Sequence, residues 1–132
     1  MTSQILIVED EMLVAYEMEA ILEDGGYGCV GIAPDLAGAS RYFDVPLDLA
    51  LVDLNLRDGL TGPQIGEQLS RAGVQVIFIT ANPALLGKGI AGAVGVMTKP
   101  TDEAALLAAV DYALARRAGV AIEPPARLLL FG

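Results

Sequence analysis

The sequence predicts a three-layer α/β sandwich, a doubly wound (βα)5 domain around a parallel five-stranded sheet of order 2-1-3-4-5. Three observations carry that reading. Short apolar runs alternate with helical patterns along the chain of 132 residues. The runs are mostly continuous rather than alternating, as in strands covered on both faces. The connections are short, and right-handed crossovers then leave few strand orders to choose from.

The five candidate strands are Gln4 to Val8, Cys29 to Ala33, Leu49 to Val52, Val74 to Ile79 and Ala93 to Thr98. Between the first two, Val14, Met18, Ile21 and Leu22 fall at helical spacing and Gly25-Gly26 supplies a stop, so a helix is expected from Glu11 to Asp24. A second helix is expected from Asp35 to Phe43, bounded by Pro34 and Pro46. Thr61 and Gln64 stand at capping-box spacing before an apolar stripe of Ile65, Leu69 and Ala72. After the fourth strand, Asn82 can cap and Pro83 suits a first helical position, but Gly87, Gly89, Gly92 and Gly95 follow within nine residues. One or two helical turns are expected there, not a full helix. The last helix opens at Thr101, carries Leu106, Leu107, Val110 and Leu114, and ends at Arg116-Arg117 before Gly119. Its acids come first and its cations last, matching the helix dipole.

This divides the chain into one domain over 1–118 and a C-terminal segment over 119–132 that carries no separate output domain. Pro124-Pro125 stiffens that segment, and Leu128 to Phe131 is too apolar to rest in water. It could dock on its own domain, pair with another subunit as a homodimer, or recruit a partner; self-docking is the expectation.

Composition excludes several function classes. With 17 acids against 8 bases the formal charge is −9, and no basic run offsets the repulsion of a phosphate backbone, so direct nucleic-acid binding is not expected. No apolar stretch approaches the roughly 18 residues of a membrane span, and the amino terminus does not read as a signal peptide; no membrane insertion and a cytoplasmic location are expected. The lone Cys29 cannot form an internal disulfide and reads as a small core residue, while the absence of histidine removes the usual zinc sites and Ser/His/Asp triads.

The chemistry-bearing residues stand at strand ends. Glu9-Asp10, Asp53, Thr80 and Lys99-Pro100 each close an apolar run, and a parallel sheet of this order brings them to one edge, with Glu9, Asp10 and Asp53 at the switch point between strands one and three. Asp10 alone could be a helix cap and Asp53 alone a turn residue. Three carboxylates together repel by roughly 1 to 4 kcal/mol per close pair at effective dielectrics of 80 to 20, which calls for a cation among them. Oxygen ligands without histidine or thiolate suit a hard ion such as Mg²⁺. Lys99 adds a fixed positive charge opposite.

The motifs Val8-Glu9-Asp10, Leu51-Val52-Asp53-Leu54-Asn55, Ile79-Thr80-Ala81 and Thr98-Lys99-Pro100, in that order and spacing, make the stretch from Gln4 to Ala118 resemble the receiver domains of bacterial two-component response regulators, the CheY-like superfamily. The resemblance implies a stand-alone receiver with a flavodoxin-like sheet. It implies that Asp53 is the phosphoacceptor, that Glu9, Asp10 and Asp53 with the Asn55 backbone carbonyl hold Mg²⁺ (or Mn²⁺), that Thr80 is the switch hydroxyl, and that Lys99 pairs with phosphoryl oxygens. It implies a signalling domain rather than an enzyme, one that assists its own phosphorylation and dephosphorylation. Without histidine in the chain, the phosphoryl donor is expected to be a separate histidine kinase, a phosphotransfer protein or a small acyl phosphate; with only a short segment after the last helix, another protein is expected to read the result, or the chain to act as a phosphate sink or relay.

The chain departs from that family at three places. Val96 stands where many receivers carry an aromatic residue, Thr101 stands where phenylalanine is frequent and reads as a helix cap, and the stretch from Gly87 to Gly95 weakens the fourth helix. That stretch is expected to order on phosphorylation or binding. The competing reading is a phosphorylation-independent interaction module, favoured by Val96 and disfavoured by the intact acidic set. A phosphatase of the haloacid dehalogenase type would need a second acid where Asn55 stands, and a flavodoxin-like nucleotide binder would need a phosphate-cradling loop where this chain puts acids.

Overall fold

The computed structural model describes residues 3–131. The strands are β1 (Gln4–Val8), β2 (Gly28–Ala33), β3 (Leu49–Val52), β4 (Gln75–Thr80), β5 (Gly95–Thr98) and β6 (Leu129–Leu130). They form one sheet of order β2-β1-β3-β4-β5-β6, parallel except for β6, which runs antiparallel to β5. The predicted 2-1-3-4-5 order holds, and the C-terminal segment adds a sixth strand that no periodicity announced.

The helices are α1 (Met12–Asp24), α2 (Leu36–Ser40), α3 (Gly62–Arg71) and α4 (Glu103–Arg117). Alternate side chains of the central strands feed two cores. Ile5 and Ile7 of β1 join Leu49, Leu51 and Ile77 against Leu22 of α1 and Leu106 and Val110 of α4. Leu6 and Val8 point the other way, with Val52 and Phe78, against Ile65 and Leu69 of α3. Strands buried on both faces explain why their sequences read as unbroken apolar runs.

Helix α2 stops at Ser40, short of the expected Phe43, and Arg41 to Asp44 forms turns. Gly38 weakens the helix, and Tyr42 and Phe43 turn inward to pack on the core. The Tyr42 hydroxyl lies where a Cβ at Gly31 would fall, so β2 carries a glycine beneath that ring. Asp35 caps α2 by accepting the Gly38 N–H at 2.8 Å.

Two capping expectations are corrected. Thr61 makes no side-chain cap; its hydroxyl donates to Asp58 Oδ1 at 2.6 Å. The cap of α4 is Asp102 rather than Thr101, with Oδ1 accepting the Ala105 N–H at 2.7 Å. The short side chain of Asp102 reaches the third amide of the first turn, and Thr101 stands one residue too early. Asp102→Ala is therefore expected to lower the unfolding free energy in urea by about 1 kcal/mol, while Thr101→Ala leaves it nearly unchanged.

As expected, no full helix joins β4 to β5: a single 3₁₀ turn at Pro83–Leu86 gives way to the glycine-rich stretch. Cys29 is half-buried at the edge of the α1/α4 core rather than inside it. Burial, with Glu19 and Glu23 nearby, pushes its thiol up to about 11. At pH 8 its alkylation by iodoacetamide is expected to be slower than that of free cysteine on the order of a hundredfold, because only the thiolate reacts. Among the described residues no helix is long and apolar enough to cross a membrane.

Candidate functional site

The register of the sheet decides what meets at its carboxyl edge. Val8, Val52 and Phe78 are successive partners across β1, β3 and β4, and Thr80 lies opposite Thr98 on β5. The residues just beyond these positions are Glu9, Asp53 and Lys99, each tied to a neighbouring strand end. The Glu9 N–H donates to the Ala33 carbonyl at 2.9 Å, the Asp53 N–H to Val8 at 2.9 Å, and the Lys99 N–H to Thr80 at 2.9 Å. The side chains therefore start from a rigid rim.

Lys99 ties the cluster together. Its Nζ donates to Glu9 Oε1 at 2.6 Å and to Asp53 Oδ2 at 2.8 Å. The other oxygen of Asp53 accepts the Leu54 N–H at 2.7 Å, so both ends of that carboxylate are fixed. Glu9 Oε2 accepts the Glu11 N–H at 3.2 Å. The side chains are 0% exposed for Glu9, 11% for Asp53 and 20% for Lys99, which leaves one ammonium as the counter-charge for two largely dehydrated carboxylates. Burial drives the Glu9 carboxyl above its ordinary range against the pull of Lys99. For Lys99, burial works downward but the bonds to Asp53 and Glu9 outweigh it, and its ammonium is held above its ordinary value.

Asp10 completes the acidic set. Carboxylate oxygens of Glu9, Asp10 and Asp53 lie within 4.8 Å of one another. Their charges exceed that of Lys99 by two, and an all-oxygen donor set of this kind fits a hard divalent cation. A cleft of about 290 Å³ opens over the cluster, lined by Asp10, Asp53, Asn55, Thr80, Asn82 and Lys99 among others. Glu9 lies beneath it, not on its wall. Thr80 is fully buried, its Oγ1 accepting the Asn82 N–H at 3.1 Å. The Asn55 side chain is exposed. All the residues picked out from the sequence are thus brought to one place.

Two contributors escaped the sequence reading. Asn82, read there only as a cap, makes no side-chain cap and stands on the wall of the cleft; its adjacency to Thr80 was the available signal. Gly62 opens α3 directly against the Asp53 carbonyl, where a Cβ would overlap it. The Lys99–Pro100 peptide between the site and α4 is cis.

Residues 5–111 match the family described as response regulator receiver domain. The chain belongs to that family. Among curated proteins this receiver is 37% identical over 86 residues to the phyllosphere-induced regulator PhyR of Methylorubrum extorquens, a match covering 63% of this chain and 32% of that protein. The chain thus spans about a third of the length of the curated relative it matches. Among solved structures, the CheY-like receiver domain protein of Methanospirillum hungatei superposes with a TM-score of 0.78 at 26% identity, covering 90% of this chain and 98% of that one. The response regulator PhyR of Brucella abortus gives 0.79 at 30% identity, covering 90% of this receiver and 50% of that chain. The receiver domain of Erythrobacter litoralis PhyR gives 0.73 at 28% identity, covering 95% and 96%. A receiver is a signalling domain, and receivers bind Mg²⁺ at an acidic pocket of the kind assembled here.

Proposed function

We propose that this receiver accepts a phosphoryl group on Asp53 from a histidine kinase, a phosphotransfer protein or a small acyl phosphate, and signals the change to a partner protein in the cytoplasm. The observation that carries the reading is the Lys99 ammonium bridging Glu9 and Asp53 at 2.6 and 2.8 Å beside Asp10 and the buried Thr80 hydroxyl. An Asp53 oxygen attacks phosphorus, the bond from phosphorus to the donor breaks, and its electron pair leaves with the donor. Little else is asked of the protein than positioning and charge, because the transferring group carries its negative charge on equatorial oxygens. Glu9, Asp10 and Asp53, with the Asn55 backbone carbonyl, would hold Mg²⁺ (or Mn²⁺), which supplies neutralisation of those oxygens.

Lys99 holds the attacking carboxylate in place and neutralises the product. Phosphorylated Asp53 presents new anionic acceptors, and the Thr80 hydroxyl, now accepting from Asn82, turns to donate to them. The chain from Asn82 to Leu86 then follows. A solved PhyR of Bartonella quintana, 28% identical with a TM-score of 0.69 over 89% of this chain and 48% of that one, is described as an anti-anti-sigma factor, which supports a protein rather than a nucleic acid as the reader of the signal. The receiver is taken as 1–118, ending just past α4, with 119–132 as a C-terminal segment whose β6 joins the receiver's sheet.

Incubation with acetyl phosphate and Mg²⁺ tests the reading. Acid-labile label is expected on the native chain and none on Asp53→Asn, and beryllofluoride should perturb the Thr80 and Asn82 signals only when Mg²⁺ is present. Label that survives Asp53→Asn, or no Mg²⁺-dependent response, would refute it. The phosphorylation-independent alternative requires instead that Asp53→Asn bind the partner as the native chain does.

A further inference from the structure

The C-terminal segment is seated on the sheet in a way that exceeds mere cover. Gly95 pairs with Leu130 and Val96 with Leu129, and the Phe131 N–H donates to the Val94 carbonyl at 3.1 Å. The side chains of Leu129 and Leu130 stay 58% and 43% exposed, so the strand itself contributes little burial. Two anchors hold it. Leu128 is 4% exposed in the α1/α4 core, and half-buried Phe131 packs into the opposite core. The segment grips both faces of the sheet edge within four residues.

The edge is shaped for such a strand. A Cβ at Gly95 would fall on the Leu129 carbonyl, and one at Gly89 would fall on the Phe131 ring. Glycine inside a strand weakens it unless another backbone must approach closely, and here one does. The path to this seat carries little burial by contrast: 118–124, beyond α4, is exposed throughout, including Val120 and Ile122.

The Phe131 ring also touches the signalling column. Its centroid lies 6.2 Å from that of Phe78, which lies two residues before Thr80 on the same face of β4. Leu86, at the end of the 3₁₀ turn that follows Asn82, belongs to the same core, and Ile90 packs against it. Movement of Thr80 therefore disturbs the floor on which Phe131 rests.

We propose that Leu128–Phe131 is a latch over a strand-accepting edge of β5, released when Asp53 is phosphorylated, and that the bared edge takes an extended segment of a partner protein; the gating rests on the phosphoacceptor reading above. The resident segment defines the ligand: an antiparallel strand with an apolar residue and, three positions on, an aromatic one. Main-chain hydrogen bonds give such a contact its affinity and the two side-chain seats its selectivity. Lys88 and Arg116 line the cleft of about 440 Å³ beside Phe131, so an acidic residue next to the aromatic complements the site.

Amide hydrogen exchange on the full chain with Mg²⁺, with and without beryllofluoride, tests the latch. The Asn82 amide, bonded to Thr80, reports the switch, and the Phe131 amide, bonded to Val94, reports the latch. Both are expected to change, with Phe131 protection falling about tenfold or more. A response at Asn82 without one at Phe131 overturns the latch alone. No response at either overturns the phosphoacceptor reading, and the gate with it. By reciprocity Phe131→Ala should bind beryllofluoride about fivefold or more tightly, and unchanged or weaker binding counts against the latch. A labelled peptide of residues 124–131 should bind the beryllofluoride-loaded chain, and the peptide carrying Leu128→Asp and Phe131→Asp should not. Equal binding of the two peptides overturns the edge as a partner site.

Discussion

Lys99→Met is expected to cost about 3 kcal/mol or more of stability at neutral pH, because removing one partner of a buried pair leaves the other charged and unpaired. Glu9 is that partner: it is fully buried, and among the described residues the cation paired with it is Lys99, 2.6 Å away. The loss should depend on pH with a definite sign. Burial already raises the Glu9 carboxyl above its ordinary 4.5, and removing Lys99 takes away the charge that restrains the rise. A folded state that binds its proton more tightly than the unfolded state gains stability as pH falls, so the variant should recover through the raised Glu9 value toward 4.5. In the native chain Lys99 itself is held above its ordinary 10.5, so the stability it contributes is fully present below that value and is lost as pH rises through the raised one. Urea unfolding at pH 7.5 and pH 5 separates these outcomes. Added Mg²⁺ should return part of the loss, since a divalent cation among the same three carboxylates relieves the same repulsion. Labelling from acetyl phosphate should fall by roughly 10² to 10³, the usual cost of deleting one preorganised charge-stabilising donor. A variant as stable as the native chain at both pH values would refute the account of Lys99 as counter-charge.

The residues of this site were legible because each stands where an apolar run ends, and such runs are the strongest signal a doubly buried strand leaves. Glu9, Asp53 and Lys99 interrupt runs whose alternate side chains face two different cores, so their placement followed once the strand order was limited. What remained hidden depends on backbone meeting backbone across distant parts of the chain. β6 pairs through two residues whose side chains are both exposed, so neither alternation nor a buried run marks it; the expectation that Leu128 to Phe131 docks on its own domain pointed to the place without the form. Gly95 read as a weakening of local structure, and its purpose emerges only with the Leu129 carbonyl against it. The cap of α4 fell one residue later than expected and the Thr61 hydroxyl left α3 uncapped, because Thr61, Thr101 and Asp102 are all competent cap types and tertiary contacts such as Thr61 with Asp58 choose among them.

Gly62 shows how a residue with no side chain can govern the site. It is buried at the first position of α3, its N–H donates to the Leu54 carbonyl at 3.0 Å, and a Cβ there would overlap the Asp53 carbonyl and lie 2.5 Å from Leu54 Cα. These are backbone atoms, so no rotamer change makes room. Gly62→Ala must push α3 away from β3 or tilt the peptide that carries Asp53. Overpacking of this kind costs roughly 1 to 3 kcal/mol. The functional effect should be larger than the stability effect, because Asp53 is held by Leu54 N–H on one oxygen and Lys99 on the other, and a shift of the Asp53–Leu54 peptide disturbs both. A displacement of about 1 Å in a reacting group is worth about 10² in rate, so labelling of Asp53 by acetyl phosphate should slow by about that factor at temperatures where the variant remains folded. Thr61→Ala, one residue earlier, removes a hydroxyl bonded to Asp58 and adds no atom near Asp53, so it should leave labelling close to native. If Gly62→Ala is destabilised but labels at the native rate, the contact is one of packing only, and the approach of α3 does not position the phosphoacceptor.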